Sequence, residues 1–213
     1  MPTRQGLLAT TALHSCAGFL LLVSSPAMAQ FVVTSGSTIT TSQTLSGTQT
    51  GTVQTGGTLQ TSGAAVTQNG AASDVVLDNR STGARGFDTS GGSSVRTLTL
   101  TNRAGALIQS DANDAVRINT NITSGSVVID NAGTIRAAAP TNPSSATQGQ
   151  ALDLRTMNTA GVALSITNRA TGVIEALNDD ALRPGLNATI DNAGIIRSFG
   201  ANTSGGDNGT SDG

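Results

Sequence analysis

One short pattern recurs five times along the chain and restricts the fold more than any other feature. It reads apolar–x–apolar–x–Asn: Val75-Val76-Leu77-Asp78-Asn79, Leu98-Thr99-Leu100-Thr101-Asn102, Val127-Val128-Ile129-Asp130-Asn131, Leu164-Ser165-Ile166-Thr167-Asn168 and Ala188-Thr189-Ile190-Asp191-Asn192. Two and four residues before each Asn the side chain is apolar. One and three residues before it, Thr, Ser and Asp dominate. Period-two alternation of this kind belongs to a strand with one buried face, and helices do not read this way.

Each copy runs into a corner. Asn131-Ala132-Gly133 and Asn192-Ala193-Gly194 match; Asn102-Arg103-Ala104-Gly105 and Asn168-Arg169-Ala170-Thr171-Gly172 are longer forms. Asn and Gly tolerate positive φ. Asn79, Asn102, Asn131, Asn168 and Asn192, with Gly133 and Gly194, are therefore expected to be the structural corners of the repeat. A second short apolar strand follows, as in Thr134-Ile135-Arg136 and Ile195-Ile196-Arg197. Two units continue into Asp114-Ala115-Val116-Arg117 and Asp180-Ala181-Leu182-Arg183, whose Asp and Arg are expected to pair locally on the solvent face.

The five Asn stand 23, 29, 37 and 24 residues apart. The longest interval holds a Pro-, Ala- and Ser-rich insertion, Ala137 to Gln150, and the next longest an extra loop around Asn119 to Gly125. The underlying unit is about 23 residues, within the range of solenoid repeats. Short strands, one corner per unit and a fixed period predict an all-β chain wound as a parallel β-helix. Leu100, Ile129, Ile166 and Ile190 would line its shaft, and Asn at equivalent corners would stack as a hydrogen-bonded ladder. A narrow aliphatic shaft also accounts for the composition: aromatic residues are 2% of the chain, with four Phe and neither Trp nor Tyr.

The expected organisation is a signal peptide at 1–29, a Thr/Ser/Gly-rich stretch at 30–73, β-helix repeats at 74–199 and a flexible C-terminal loop, a truncated coil, at 200–213. The stretch from Phe31 to Gly70 carries Ile39, Leu45, Val53, Leu59 and Val66 at intervals of six to eight residues. It reads either as the first coils of the solenoid, favoured by its many β-branched Thr, or as a linker. At the N-terminus, Arg4 precedes an apolar stretch ending in Phe19-Leu20-Leu21-Leu22-Val23, and Ala27-Met28-Ala29 fits small-x-small cleavage before Gln30. The rival membrane anchor needs ~20 unbroken apolar residues, and Thr10, Thr11, His14 and Ser15 interrupt this one. A lipoprotein signal ending at Cys16 is discounted, since the strongest apolar run follows the cysteine.

Cleavage would remove the only Cys, Cys16, and the only His, His14. The mature chain then has no disulfide and no Cys or His ligand for zinc. Gly209-Thr210-Ser211-Asp212-Gly213 matches a nucleophile elbow by chance, because that motif needs a histidine base. Asp207, Asn208 and Asp212 could offer oxygens to calcium, but their spacing fits a solvated loop better. A net charge of −2 gives no basic patch, so nucleic acid is not an expected partner. Asp78, Asp130 and Asp191 recur before the corner Asn, which points to a structural role, since a catalytic carboxylate pair would occur once. The expectation is no enzyme, no cofactor and no metal.

Ile129-Asp130-Asn131-Ala132-Gly133-Thr134-Ile135 and Ile190-Asp191-Asn192-Ala193-Gly194-Ile195-Ile196 resemble the repeats of autotransporter (type V secretion) passenger domains of Gram-negative bacteria. The likeness covers residues 75–197 well and 31–70 loosely. It implies a right-handed parallel β-helix at the cell surface or secreted, serving adhesion, aggregation or biofilm formation. The implied partners are the secretion machinery, an outer-membrane β-barrel, and a surface ligand such as a matrix protein or polysaccharide. The family ends in a barrel of transmembrane strands, which does not follow Gly213. The sequence thus reads as the front part of a passenger, or as a truncated remnant that would stay periplasmic. The remaining alternative is a β-helical polysaccharide lyase or hydrolase.

Overall fold

A computed structural model describes residues 29–77, 80–89, 94–138 and 149–199. Among them every regular element is a strand. The first coil comprises β1 (Ala29–Val33), β2 (Thr38–Ile39) and β3 (Gln43–Leu45); the second, β4 (Thr48–Val53), β5 (Thr58–Gln60) and β6 (Ala64–Gln68). The third holds β7 (Ala72–Leu77), β8 (Arg80–Gly83) and β9 (Arg85–Thr89), the fourth β10 (Val95–Asn102), β11 (Leu107–Ser110) and β12 (Val116–Arg117). The fifth holds β13 (Ser124–Asn131), β14 (Thr134–Ala137) and β15 (Leu152–Asp153), the sixth β16 (Ala163–Asn168), β17 (Val173–Ala176) and β18 (Leu182–Arg183). The seventh closes with β19 (Ala188–Asn192) and β20 (Ile195–Ser198).

Every third strand pairs in parallel with its predecessor, giving three sheets of seven, seven and six strands. This is a parallel β-helix. Parallel pairing sets each side chain in line with its counterparts in the adjacent coils, so the interior is built of columns. Leu100, Ile129 and Ile166 are fully buried in one; Leu59, Ser81, Ile108, Ile135 and Ile174 are buried in another. The third sheet contributes Val66, Phe87, Val116 and Leu152.

The Thr/Ser/Gly-rich stretch forms the strands and turns of coils one and two, with Leu45, Val53, Leu59 and Val66 fully buried. The shaft admits Phe31 because Gly51 faces it in the next coil: a Cβ there would lie 2.5 Å from the ring's Cζ. Phe19 and the rest of the expected signal peptide before Ala29 lie outside the described residues, as does the 200–213 loop. Ala29 itself opens β1, opposite Thr50.

Two insertions are narrower than the sequence suggested. Ala137 is the buried last residue of β14 and Gln150 is buried with its amide nitrogen bonded to Asp114, so both ends of that insertion belong to the coil. The extra loop after Asn119 sends Ile122 into the core and starts β13 at Ser124. At the seventh coil the columns lose their cover: Ile190 is 43% exposed although Ile166 behind it is fully buried.

Candidate functional site

The corner between the first and second sheets carries the most ordered polar chemistry. Asn102, Asn131, Asn168 and Asn192 share one register column, and the first three are buried. Each Nδ2 donates to the next Oδ1: Asn102 to Asn131 at 2.7 Å, Asn131 to Asn168 at 2.8 Å, Asn168 to Asn192 at 2.8 Å. The same nitrogens donate to carbonyls of the following coil, of Thr134 at 3.1 Å and of Val173 and Ile195 at 3.2 Å. That second bond fixes the orientation of every amide, so the ladder has a direction. Its head, Asn102 Oδ1, is buried without a partner.

The fifth expected corner residue, Asn79, lies outside the described residues. The register nevertheless corrects the alignment: Leu100 faces Val75, not Leu77, and the position facing Asn102 is filled by Leu77. The column is therefore aliphatic through Val33, Val53 and Leu77 and turns to amide at coil four. The reason is apolar continuity, because a strand slipped by two residues keeps the same face inward.

Gly133 and Gly194 serve a different purpose from the one their sequence suggests. Neither has positive φ. A Cβ on Gly133 would lie 2.5 Å from the Arg103 carbonyl oxygen and 2.8 Å from Asn102 Nδ2. Gly194 sits in the same way against the Arg169 carbonyl and 2.8 Å from Asn168 Nδ2. These glycines are needed for close approach between coils. Positive φ falls instead on Gly36, Gly56 and Gly105, at 76°, 79° and 80°. Each is the third residue of a turn closed by an i to i+3 bond, as type II geometry requires.

From coil four to coil seven the corners alternate in length. Gln54–Gly57, Arg103–Ala106 and Arg169–Gly172 are turns of the longer kind, closed by bonds of 2.8, 2.9 and 2.7 Å. Ala132–Gly133 is of the shorter kind and lies between the last two. The result is a groove of about 430 Å³ whose lining includes Arg103, Ala104, Asp130, Ala132 and Arg169. Asp130 grips Arg169 through two bonds of 2.6 Å to Nε and Nη2, which raises the guanidinium's pKa by hydrogen bonding and charge. The signal for these residues was in the sequence, as the repeated Asn-Arg-Ala at 102–104 and 168–170, but the groove arises from the short corner between them.

Elsewhere the outer faces carry ionic columns. On the third sheet Asp88, Arg117, Asp153 and Arg183 stand in register. Arg117 donates to Asp88 at 3.1 and 3.0 Å. The expected Asp114–Arg117 surface pair is thus corrected. Arg117 takes its register partner on the preceding coil, while the Gln150 amide occupies Asp114. Asp114 is buried, accepts the Gln150 amide at 3.0 Å, and has its pKa raised by burial. Asp180 and Arg183 do pair, at 2.7 Å. Asp179 is buried, which raises its pKa, and accepts from Gln150 Nε2 at 2.5 Å.

On the second sheet Glu175 is buried between Arg136 and Arg197. Burial pushes this carboxyl up, but the hydrogen bonds from the two guanidinia outweigh it, and it titrates below its ordinary value. Arg96 of β10 is fully buried, donating to the Gln68 carbonyl at 2.9 Å, and burial lowers its pKa. Asp191, in register with Asp130 two coils away, is exposed.

Fold and ladder together define the class: a parallel β-helix whose coils are joined by an amide spine. Comparison with protein-family models, with curated proteins and with solved structures returned no match to this chain.

Proposed function

We propose that this chain is an exported β-helical passenger segment of an autotransporter, displayed at the surface or secreted, with a non-catalytic, adhesin-like role. The observations that support the reading are the stack of parallel coils and, earlier in the sequence, the apolar stretch followed by the Ala27-Met28-Ala29 cleavage pattern. A protein built this way is a rod with polar outer columns, suited to holding contacts at a distance from the cell. Its secretion partners would be the export machinery and an outer-membrane β-barrel, and its ligand a matrix protein or polysaccharide.

The engagement of four of the described carboxylates favours this reading over a lyase or hydrolase. Asp130 is held by Arg169, Glu175 by two arginines, Asp88 by Arg117, and Asp114 by a backbone amide. A general acid or base must reach the proton it transfers, and these groups are engaged in holding coils together.

The test has two parts. The chain is expressed with residues 1–29 in a Gram-negative host, and the N-terminus of the exported species is read by mass spectrometry; Gln30 is expected. The purified product is then assayed for binding to immobilised matrix proteins and polysaccharides and for cell aggregation. A cytoplasmic precursor that still carries residues 1–29 refutes export. An exported product with no binding and no aggregation refutes the adhesive role.

A further inference from the structure

Cleavage after Ala29 would make Gln30 the first residue of the mature chain, and the fold places Gln30 for a reaction with its own α-amine. The strand is anchored from the next residue onward: Phe31 and Val33 are buried in the first coil, while Gln30 is exposed on it. The parallel pairing of β1 with β4 slips at this point. Ala29 pairs with Thr50 and Phe31 with Gly51, so Gln30 is left without a register partner, as the extra residue of a bulge is. Coil two holds the side chain instead. Gln49 Nε2 donates to Gln30 Oε1 at 2.7 Å. The Ser46 amide in turn donates to Gln49 Oε1 at 2.5 Å, which fixes which end of the Gln49 amide faces Gln30.

A glutamine at an amino terminus carries a nucleophile and an electrophile within reach of a five-membered ring. The neutral α-amine attacks the side-chain carbonyl carbon, Cδ. A bond forms between the α-nitrogen and Cδ, the Cδ–Nε2 bond breaks, and the side-chain nitrogen leaves as ammonia, taking one proton from the amine. The product is a lactam, pyroglutamate, and the step consumes no oxidant, reductant or co-reactant. The α-amines of proteins titrate near ~8, so at neutral pH part of the population is the free nucleophile. The Gln49 N–H donor lies on the oxygen that gains negative charge in the tetrahedral intermediate, where donors assist acyl transfer. The lactam retains that oxygen, so it can still accept from Gln49 afterwards.

The consequence extends over two coils. From Gln30 to Ser73 the chain has no ionisable side chain, Asp74 being the first. The α-ammonium would be the one charge on coils one and two, and it would sit on β1, the outermost strand of the first sheet. Lactam formation removes that charge and leaves no free amine for an aminopeptidase to engage.

We propose that Gln30 is a self-modifying amino terminus, converted to pyroglutamate with the Gln49 amide assisting at its carbonyl oxygen, so that the rod begins on an uncharged, capped strand. The proposal rests on the export reading and its cleavage point.

The test follows the purified exported chain by mass spectrometry during incubation at neutral pH. A species lighter by one ammonia is expected, with the loss localised to Gln30 by fragmentation and the chain blocked to Edman degradation. Gln30→Glu, which has no ammonia to expel, should keep its free α-amine over the same period. Gln49→Ala should slow the conversion about fivefold, the rate equivalent of one ordinary hydrogen bond, with unchanged far-UV circular dichroism. Gln60→Ala, exposed elsewhere on coil two, should not slow it. A chain that begins at Gln30 and keeps its free amine, or that cyclises at the same rate in Gln49→Ala, overturns the proposal while leaving the export reading intact. A chain that still carries residues 1–29 refutes the export reading and this proposal with it.

Discussion

Asn131 sits in the middle of the amide spine, and its removal gives the sharpest test of what holds the coils together. It is fully buried, accepts from Asn102 at 2.7 Å and donates to Asn168 Oδ1 at 2.8 Å and to the Val173 carbonyl at 3.2 Å. Asn131→Ala strands Asn168 Oδ1 and deprives Asn102 of one of its two acceptors. A stranded buried polar group costs about 1–3 kcal/mol, and the small void adds about 1 kcal/mol, for a total of about 2–4 kcal/mol. Asn192→Ala removes the same chemical group at the exposed end, where water replaces it, and should cost under about 1 kcal/mol. Replacing Asn102, Asn131, Asn168 and Asn192 together by Leu leaves no side-chain amide of the column stranded; Leu77 already occupies this register position. The fourfold variant should therefore lose much less than the sum of the four single Leu variants. The assay is urea unfolding followed by far-UV circular dichroism, because the chain has neither Trp nor Tyr to report by fluorescence. Solenoid coils can open singly, so hydrogen exchange at the Ile129 and Ile166 amides provides a local reading. Equal costs at Asn131 and Asn192, or a fourfold loss matching the sum, would refute the ladder as a stabilising element.

Glu175 has its pKa lowered in the fold, so its contribution is present above the unfolded carboxylate value and disappears as pH falls through the folded one; Glu175→Gln should lower the thermal midpoint at pH 7 and flatten its dependence between pH 5 and 3, about. Asp114 is the opposite case, raised by burial: its stabilising form is the protonated one, lost as pH rises through the folded value, so Asp114→Asn should raise the midpoint at pH 7, and a fall would contradict that sign. Gly133→Ala places a Cβ against two backbone carbonyls that cannot rotate away and should cost more than about 2 kcal/mol, while Gly105→Ala, with open space but φ of 80°, should cost about 1 kcal/mol; urea midpoints of the two variants decide. Ile166→Ala, in the fully buried column, should cost about 2–5 kcal/mol, against under about 1 kcal/mol for Ile190→Ala at the half-open end.

The strand faces and the coil period were legible because alternation and Asn recurrence are local signals. Leu100, Ile129 and Ile166 could be placed in the shaft from spacing alone. Register was legible only where a polar residue marked it. From coil four onward Asn does so, but in coil three Val75-Val76-Leu77 fits the inward face at either of two offsets, and packing chose the one that sets Leu77 opposite Asn102. The third sheet was nearly invisible, since β12, β15 and β18 are two residues each, too short for any periodicity. Ionic partners such as Asp88–Arg117 and Glu175–Arg136 are separated by 29 and 39 residues. Their meeting depends on how long each loop is, which composition does not encode. The groove required a comparison of corner lengths across neighbouring coils, and its residues are unremarkable one at a time.

Because each coil meets its neighbours only through register columns, chain length is a free variable of the design. A deletion of residues 132–168 would join Asn131 to Arg169 and remove one rung, about 4.8 Å of rod. Asn131 would then face Asn192 as Asn168 does now, and the spine would remain unbroken. Copy number can drift by unequal recombination between the near-identical Asn-Arg-Ala and Asn-Ala-Gly segments without disturbing the cross-section. Genes for rods of this type can thereby lengthen or shorten the reach of the protein in whole-coil increments, with the amide column acting as the frame in which each change must land.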